Sequence, residues 1–229
     1  MPTALITGAN RGLGLALATR YAAAPGAHVI AVTREISQSH ELHALVEGSG
    51  GRVRALEADV AEFASIERLA HAVEDSRIDL LINNAGMMGE TEFGKISARE
   101  LNDVFSVNAF APLLLTQALR AKLARGGKVV NITSVLGSIQ NARDSASYLS
   151  YAMSKAALNM FSVKLAAELR ADGIAVLALR PGWVRTRMGG SEAAIDVDTS
   201  ADGMMRVIGA LDLRQSGSYL AYDGKSIPW

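Results

Sequence analysis

The chain has 229 residues, 49% of them apolar, with 23 basic and 23 acidic side chains and a formal net charge of +0. That length fits one large domain with ample sequence for a buried core. The even charge argues against a footprint for nucleic acid or an anionic membrane, and the lack of cysteine excludes a disulfide framework, a thiol nucleophile and a zinc–thiolate site. His28, His40, His43 and His71 are scattered; His40 and His43 could share a helix face, but no third ligand sits nearby, so no metal site is expected. The start, Met-Pro-Thr-Ala-Leu-Ile-Thr-Gly, lacks the basic residues and apolar run of a signal peptide. No apolar stretch reads as long as a membrane span, and a cytoplasmic protein is expected.

In chain order, short apolar runs predict strands over Ala4–Thr7, His28–Thr33, Val53–Glu57, Leu80–Asn83, Lys128–Ile132, Ala175–Leu179 and Ser218–Tyr222. Between them, helical patterns cover Leu13–Ala24, Ser39–Val46, Phe63–Asp75, Ala98–Arg125, Tyr148–Ala171 and Ser200–Leu211. Apolar strands alternating with helices indicate βαβ units and a parallel sheet covered on both faces. Right-handed crossovers then make it a doubly wound α/β sheet of Rossmann type with seven strands. The pattern predicts a single nucleotide-binding domain over 1–229, with a substrate loop at about 187–200; Gly189–Asp198 is long enough for a lid.

The first strand runs into Thr7-Gly8-Ala9-Asn10-Arg11-Gly12-Leu13-Gly14, followed by a helix. Glycines there permit a tight turn, close approach to a pyrophosphate and close helix–sheet packing, while the helix N-terminus supplies N–H donors. The spacing is Gly-x-x-x-Gly-x-Gly, which differs from the commoner dinucleotide fingerprint. At the end of the second strand an acidic residue would hold a ribose 2′-OH, whereas an arginine accommodates a 2′-phosphate. This chain reads Arg34-Glu35, and Arg11 could reach the same phosphate, so guanidinium–phosphate pairing favours NADP(H). Glu35 keeps NAD(H) as the alternative.

Tyr151 and Lys155 stand four residues apart in Tyr-Leu-Ser-Tyr-Ala-Met-Ser-Lys, which places them on one helix face. A lysine cation there favours the charged form of a neighbouring phenol and is expected to lower its pKa. The same spacing also occurs on ordinary solvated helix faces, so the pair takes its meaning from what surrounds it.

With these residues in hand, the chain resembles the short-chain dehydrogenase/reductase family over essentially its whole length. The matching motifs are Thr7-Gly-x-x-x-Gly-x-Gly14, Asp59-Val60, Asn83-Asn84-Ala85-Gly86, Asn108, Ser134 in Asn-Ile-Thr-Ser, Tyr151-x-x-x-Lys155 and Pro181-Gly182, in the family's order. The segments Asn-Arg-Gly-Leu-Gly, Ser-Val-Leu-Gly-Ser-Ile-Gln and Tyr-Asp-Gly-Lys-Ser-Ile-Pro-Trp look more specifically like its C-factor/sniffer-type carbonyl reductase branch. The resemblance implies that Asp59 and the Val60 backbone hold the adenine and that Asn84, Ala85 and Gly86 line the cofactor groove, with Asn83 tying strands together. It also implies that Pro181, Gly182, the Val184 backbone and the Thr186 hydroxyl meet the nicotinamide.

Hydride transfer to a carbonyl leaves an alkoxide that needs a proton. The resemblance makes Tyr151 the general acid, has Lys155 lower its pKa and hold the nicotinamide ribose, and has Ser134 bond the substrate oxygen. Asn108, expected at an irregularity in the Ala98–Arg125 helix, would position a water relaying protons to Lys155. The family's serine commonly precedes its tyrosine by about thirteen residues, an offset that Ser138 has and Ser134 lacks. Ser134 is chosen because it closes the fifth strand, leaving an insertion within Gln140–Ser147; Ser138 stays open as a second substrate contact. The pocket is expected to draw on Met87, Met88, Gln140, Trp183 and Met188, which suits a moderately hydrophobic aldehyde or ketone, or the corresponding alcohol.

Two other classes compete: a nucleotide-binding regulatory or signalling protein of C-factor type, and a sugar-nucleotide epimerase or dehydratase. The intact Asn108/Ser134/Tyr151/Lys155 set argues against the first, and the glycine spacing and absence of a substrate domain against the second. Relatives pair through the two long helices, so a homodimer or homotetramer is expected, with Ala152, Ala156, Ala157, Ala166 and Ala167 permitting close packing.

Overall fold

The computed structural model describes residues 2–143 and 146–229. Seven strands form one parallel sheet: β1 Thr3–Thr7, β2 His28–Thr33, β3 Val53–Glu57, β4 Ile78–Asn83, β5 Leu123–Ile132, β6 Ala175–Arg180 and β7 Ser218–Ala221, in the order β3-β2-β1-β4-β5-β6-β7. The helices are α1 Gly12–Ala23, α2 His40–Gly48, α3 Phe63–Ala72, α4 Ala98–Phe105, α5 Ala111–Leu119, α6 Leu149–Glu168 and α7 Val197–Ala210.

Alternation along the strands divides the core into two layers. Ile6 pairs with Ala31 on one side and Ile82 on the other, and their side chains join Leu17, Leu42, Met204 and Ile208 of α1, α2 and α7. The neighbouring positions Leu5, Ile30, Leu81 and Val129 face the opposite way, onto Ile66 and Leu69 of α3, Leu115 and Leu119 around α5, and Leu165 of α6. Because both faces are covered, the strands read as continuous apolar runs. Successive strands move outward in one direction from β1 and in the other from β4, so the chain leaves their carboxyl ends toward opposite faces. The crevice between them is where such sheets bind ligands.

Beneath that crevice runs a buried polar ladder. Asn83 Nδ2 donates to Asn131 Oδ1 at 2.8 Å, and Asn131 Nδ2 to Ser162 Oγ at 2.8 Å. The ladder joins β4, β5 and α6, and its side chains satisfy one another where water is excluded. Asn83 therefore ties strands together, as its place in the sequence suggested.

The boundaries differ from expectation where tertiary pairing overrides local preference. The helix expected through Arg125 gives way at Leu123, which pairs with Ile78 at the start of the sheet, so Leu-Ala-Arg becomes strand despite good helix propensity. Tyr148 lies outside α6, at its N-cap, with φ 59°. The helix ends at Glu168, ahead of Ala171, and Gly173 follows with φ 72°. Asp196 caps α7 by accepting from Thr199 N at 2.6 Å, so that helix starts at Val197, before Ser200.

The expectation that no apolar stretch is membrane-length also needs correction. α4, a π turn over Ser106–Phe110, α5 and a 3₁₀ turn run on as one helical stretch, Ala98–Lys122, of 25 residues, long and apolar enough by length and composition alone. Leu115 and Leu119 of this stretch are buried against the sheet, as in the core helix of a folded domain. Of the insertion expected within Gln140–Ser147, Asp144 and Ser145 lie outside the described residues.

Candidate active site

At the carboxyl end of β1 the chain turns through Gly8, which has φ 65°, a conformation glycine adopts without strain. Gly14 lies so near the same turn that a Cβ there would overlap the Gly8 carbonyl oxygen. Thr7 Oγ1 accepts from the N–H groups of Asn84 and Ala85, each at 3.0 Å. Asn84 Nδ2 returns the contact to Thr7 O at 2.8 Å and Gly8 O at 3.2 Å. Asn84 thus braces the glycine turn with its side chain and offers the groove only its backbone. Thr7 was not singled out from the sequence; its signal was a hydroxyl at the end of an apolar strand, which local patterning does not distinguish from ordinary β-propensity.

The first turn of α1 carries no acidic residue and no side-chain cap, so no such group of its own occupies the N–H donors and positive dipole end that follow the glycine turn. Arg11 at its N-cap and Arg34 after β2 are both exposed. Partial desolvation lowers the Arg11 pKa, as does repulsion from Arg187 and then Arg34. Three guanidiniums therefore share one region, Arg187 arriving from the loop after β6, a member the sequence reading missed. Glu35 does not neutralise them: its carboxylate accepts from Gln38 Nε2 at 2.7 Å and Ser37 Oγ at 3.2 Å. Asp59, past β3, folds its carboxylate onto the Ala61 N–H at 2.9 Å, and Val60 beside it is half-buried.

Tyr151, Lys155, Leu158, Asn159 and Ser162 form the buried face of α6. Lys155 Nζ lies 5.6 Å from the centre of the Tyr151 ring and donates to Ile132 O at 2.8 Å. Ser134 lies two residues past the end of β5, next to the Tyr151 side chain. Gly137 makes this closeness possible: a Cβ there would lie 2.8 Å from the Lys155 carbonyl carbon, so any side chain would push the serine loop off α6. Ser138 has another commitment, since its hydroxyl is buried and donates to Pro228 O at 2.6 Å. Of the two serines, the fold brings Ser134 to the phenol. Tyr148, three residues before Tyr151, is half-exposed and lies off the helix face.

Asn108 falls within the π turn, the irregularity expected of it; such turns inside α-helices often mark functional positions. Its Oδ1 accepts from Met87 N at 2.9 Å, and its Nδ2 donates to Met87 O at 2.9 Å and Ser154 Oγ at 3.0 Å. Gly86 lies between Asn108 and Lys155, its Cβ position 3.4 Å from Asn108 Oδ1 and 3.7 Å from Lys155 Nζ. Asn108 is thus a staple that sets the post-β4 loop against the buried lysine.

The electrostatics reverse one expectation. Burial pushes the Tyr151 phenol up to about 12, against a smaller lowering by the neighbouring Ser134 hydroxyl. Burial also brings the Lys155 ammonium down to about 8. Desolvation acts on both partners, penalising whichever form is charged, and outweighs the lowering expected from the lysine cation.

After β6, Pro181 and Gly182 lead into a loop folded on itself. Arg185 N donates to Ile195 O at 2.8 Å, Trp183 Nε1 to Gly189 O at 2.8 Å, and Gly189 N to Thr186 Oγ1 at 3.1 Å. Val184 is buried, while Trp183 and Met188 remain exposed. Met88 is half-buried, and Gln140 is exposed.

A sequence model described as short chain dehydrogenase matches residues 2–195. The C-signal protein of Myxococcus xanthus is 39% identical over 155 residues, covering 66% of this chain and 93% of that protein. Among solved structures, the carbonyl reductase Sniffer of D. melanogaster superposes with a TM-score of 0.92 at 31% identity, over 100% of both chains. An NADPH-bound carbonyl reductase from chicken fatty liver does so with a TM-score of 0.93 at 32% identity, over 100% of this chain and 99% of that one. With its glycine turn at the head of α1 and Ser134, Tyr151 and Lys155 gathered on the edge of the same sheet, the chain belongs to the short-chain dehydrogenase family.

Proposed function

We propose that this protein is an NADP(H)-dependent oxidoreductase that interconverts a carbonyl and an alcohol, with Tyr151 as the general acid and base. The observation that carries the reading is the meeting of Ser134, Tyr151 and Lys155 past the end of β5, with Lys155 Nζ 5.6 Å from the centre of the Tyr151 ring and donating to Ile132 O, beyond the glycine turn. The residues fit a phosphorylated dinucleotide: a glycine cradle without room for a Cβ, open helix N–H donors, and the Arg11/Arg34/Arg187 group for a 2′-phosphate. NADP bound in this groove supplies or accepts the hydride.

The protein's own residues do the rest. Ser134 donates to the substrate oxygen as negative charge develops there. Tyr151, neutral at pH 7, gives that oxygen its proton, and Lys155 stabilises the phenolate left behind. The Asn108 side chain already bonds Met87 and Ser154, and the relay water is assigned to its backbone carbonyl, which can accept a second bond. Asp59, Val60, Ala85 and Gly86 line the adenine and ribose side, and Pro181, Gly182, Val184 and Thr186 the nicotinamide side. Met88, Gln140, Trp183 and Met188 offer a largely apolar approach for an aldehyde or ketone. A cytoplasmic setting is part of the same reading.

A panel of aldehydes and ketones monitored at the NADPH absorbance tests the assignment. Tight NADPH binding with no oxidation across the panel would favour a signalling protein like the C-signal relative. Arg34→Asp is expected to weaken NADPH more than NADH and to reverse the preference; an unchanged ratio would remove Arg34 from the 2′-phosphate site.

We also propose a homodimer through α5 and α6, supported by exposed Phe110, Leu113, Met153, Met160 and Val163, an apolar face of the kind that marks interfaces. Ala166 is buried in the core and has no part in that surface. Sedimentation as a monomer at micromolar concentration would overturn the dimer.

A further inference from the structure

β7 and the segment after it return to the serine loop and grip it at three points. The Tyr219 hydroxyl donates to the backbone carbonyl of Ser134 itself. The Ser138 hydroxyl donates to Pro228 O at 2.6 Å, and the Gln140 N–H to the Trp229 backbone oxygen at 3.0 Å. The rings of Tyr219 and Trp229 pack at 5.1 Å between centroids and 30° between planes, so the Tyr219 and Trp229 grips are joined by a ring contact. Asn159 of α6 holds the same stretch from the other side: its Nδ2 donates to Gly137 O at 3.0 Å and its Oδ1 accepts from Thr133 Oγ1 at 2.7 Å. These hydrogen bonds of Tyr219, Pro228, Trp229 and Asn159 all end on residues 133–140, around Ser134. Without such ties a short loop after a strand would sample several conformations, and a serine misplaced by about 1 Å costs roughly 10²-fold in rate.

We propose that Tyr219 and Trp229 are positioning residues that clamp the Ser134 loop against α6, and that the open face of the Trp229 ring forms a wall of the substrate pocket. The Trp229 ring is suited to the second task because 44% of the residue stays exposed beside Gln140. Tyr219 could not act as a proton donor to substrate, since its hydroxyl proton is committed to the Ser134 carbonyl. The inference rests on the assignment of Ser134 to the substrate oxygen.

Three variants test it: Tyr219→Phe, which keeps the ring contact and removes the hydrogen bond, Trp229→Ala, and Trp229→Phe. Tyr219→Phe is expected to lower kcat roughly ten- to hundredfold with the NADPH Kd unchanged. Trp229→Ala should raise KM for bulky carbonyls more than it lowers kcat, and Trp229→Phe should recover most of the loss. Hydrogen exchange followed by mass spectrometry supplies a readout independent of turnover: peptides over 134–140 should exchange faster in Tyr219→Phe and Trp229→Ala, while those over α6 stay protected. Unchanged exchange at 134–140 would overturn the clamp, as would loosening spread evenly through the sheet. Wild-type kinetics in all three variants would do the same. If the wild-type protein reduces no carbonyl, the enzymatic reading fails, and with it the roles in positioning Ser134 and forming the substrate wall; local exchange then shows only whether the tie itself exists.

Discussion

Tyr151→Phe is expected to lower kcat for carbonyl reduction by about 10²–10⁴-fold, the range general acid catalysis supplies, or about 3–5 kcal/mol of barrier. The ring is 8% exposed, so phenylalanine fills the same space and only the hydroxyl is lost. The phenol at about 12 is protonated at neutral pH, poised as a donor for reduction. As the base for alcohol oxidation it must first ionise, so the oxidative rate should rise with pH while the reductive rate does not. Two measurements check this: steady-state kinetics in both directions, and NADPH binding by fluorescence, which should be retained. A variant that keeps more than a small fraction of wild-type kcat, or an oxidative rate that falls as pH rises toward the point, about 8, at which Lys155 gives up its proton, would remove Tyr151 from the proton's path.

Lys155→Met is expected to abolish most turnover and to change how stability responds to pH. Removing a buried cation aimed at developing charge costs roughly 10²–10³-fold in comparable sites. The stability effect follows from linkage. Burial depresses the folded-state pKa from 10.5 to about 8, so below pH 8 both states carry the proton and the folded state bears the full cost of holding the charge. Between pH 8 and 10.5 the folded state releases the proton first and the unfolded chain still binds it, so wild-type stability rises with pH. The wild-type unfolding free energy should therefore gain about 3 kcal/mol on that of Lys155→Met across this window. The variant leaves the Ile132 carbonyl without the lysine, which offsets part of its advantage at low pH but not the change with pH. Parallel denaturation series at pH 7 and 10.5 measure it; two curves that keep a constant separation would mean that Lys155 is not desolvated.

How much of this was legible beforehand depended on the range of the interactions involved. The strands could be read because a sheet covered on both faces requires continuous apolar runs, and β2 and β3 begin and end where those runs do. The glycine turn could be read because its requirement, no Cβ at Gly14, is local to the turn. Less legible was Leu123, whose neighbours favour helix but which pairs with Ile78 across the sheet. Arg187 was overlooked because its value lies in facing Arg11 and Arg34, which are more than 150 positions away in the chain.

The sequence by itself determined the alternating architecture, the cofactor turn and the Tyr151/Lys155 face, since each depends on the period of a strand or helix or on the backbone freedom of one residue. Only the tertiary structure decided that Ser138 is engaged by Pro228, which way the two pKa values move, and that β7 and the segment after it tie down the Ser134 loop. Those outcomes arise from burial and from hydrogen bonds between distant segments. Chain spacing does not encode how deeply a charge is desolvated, or which hydroxyl is already engaged.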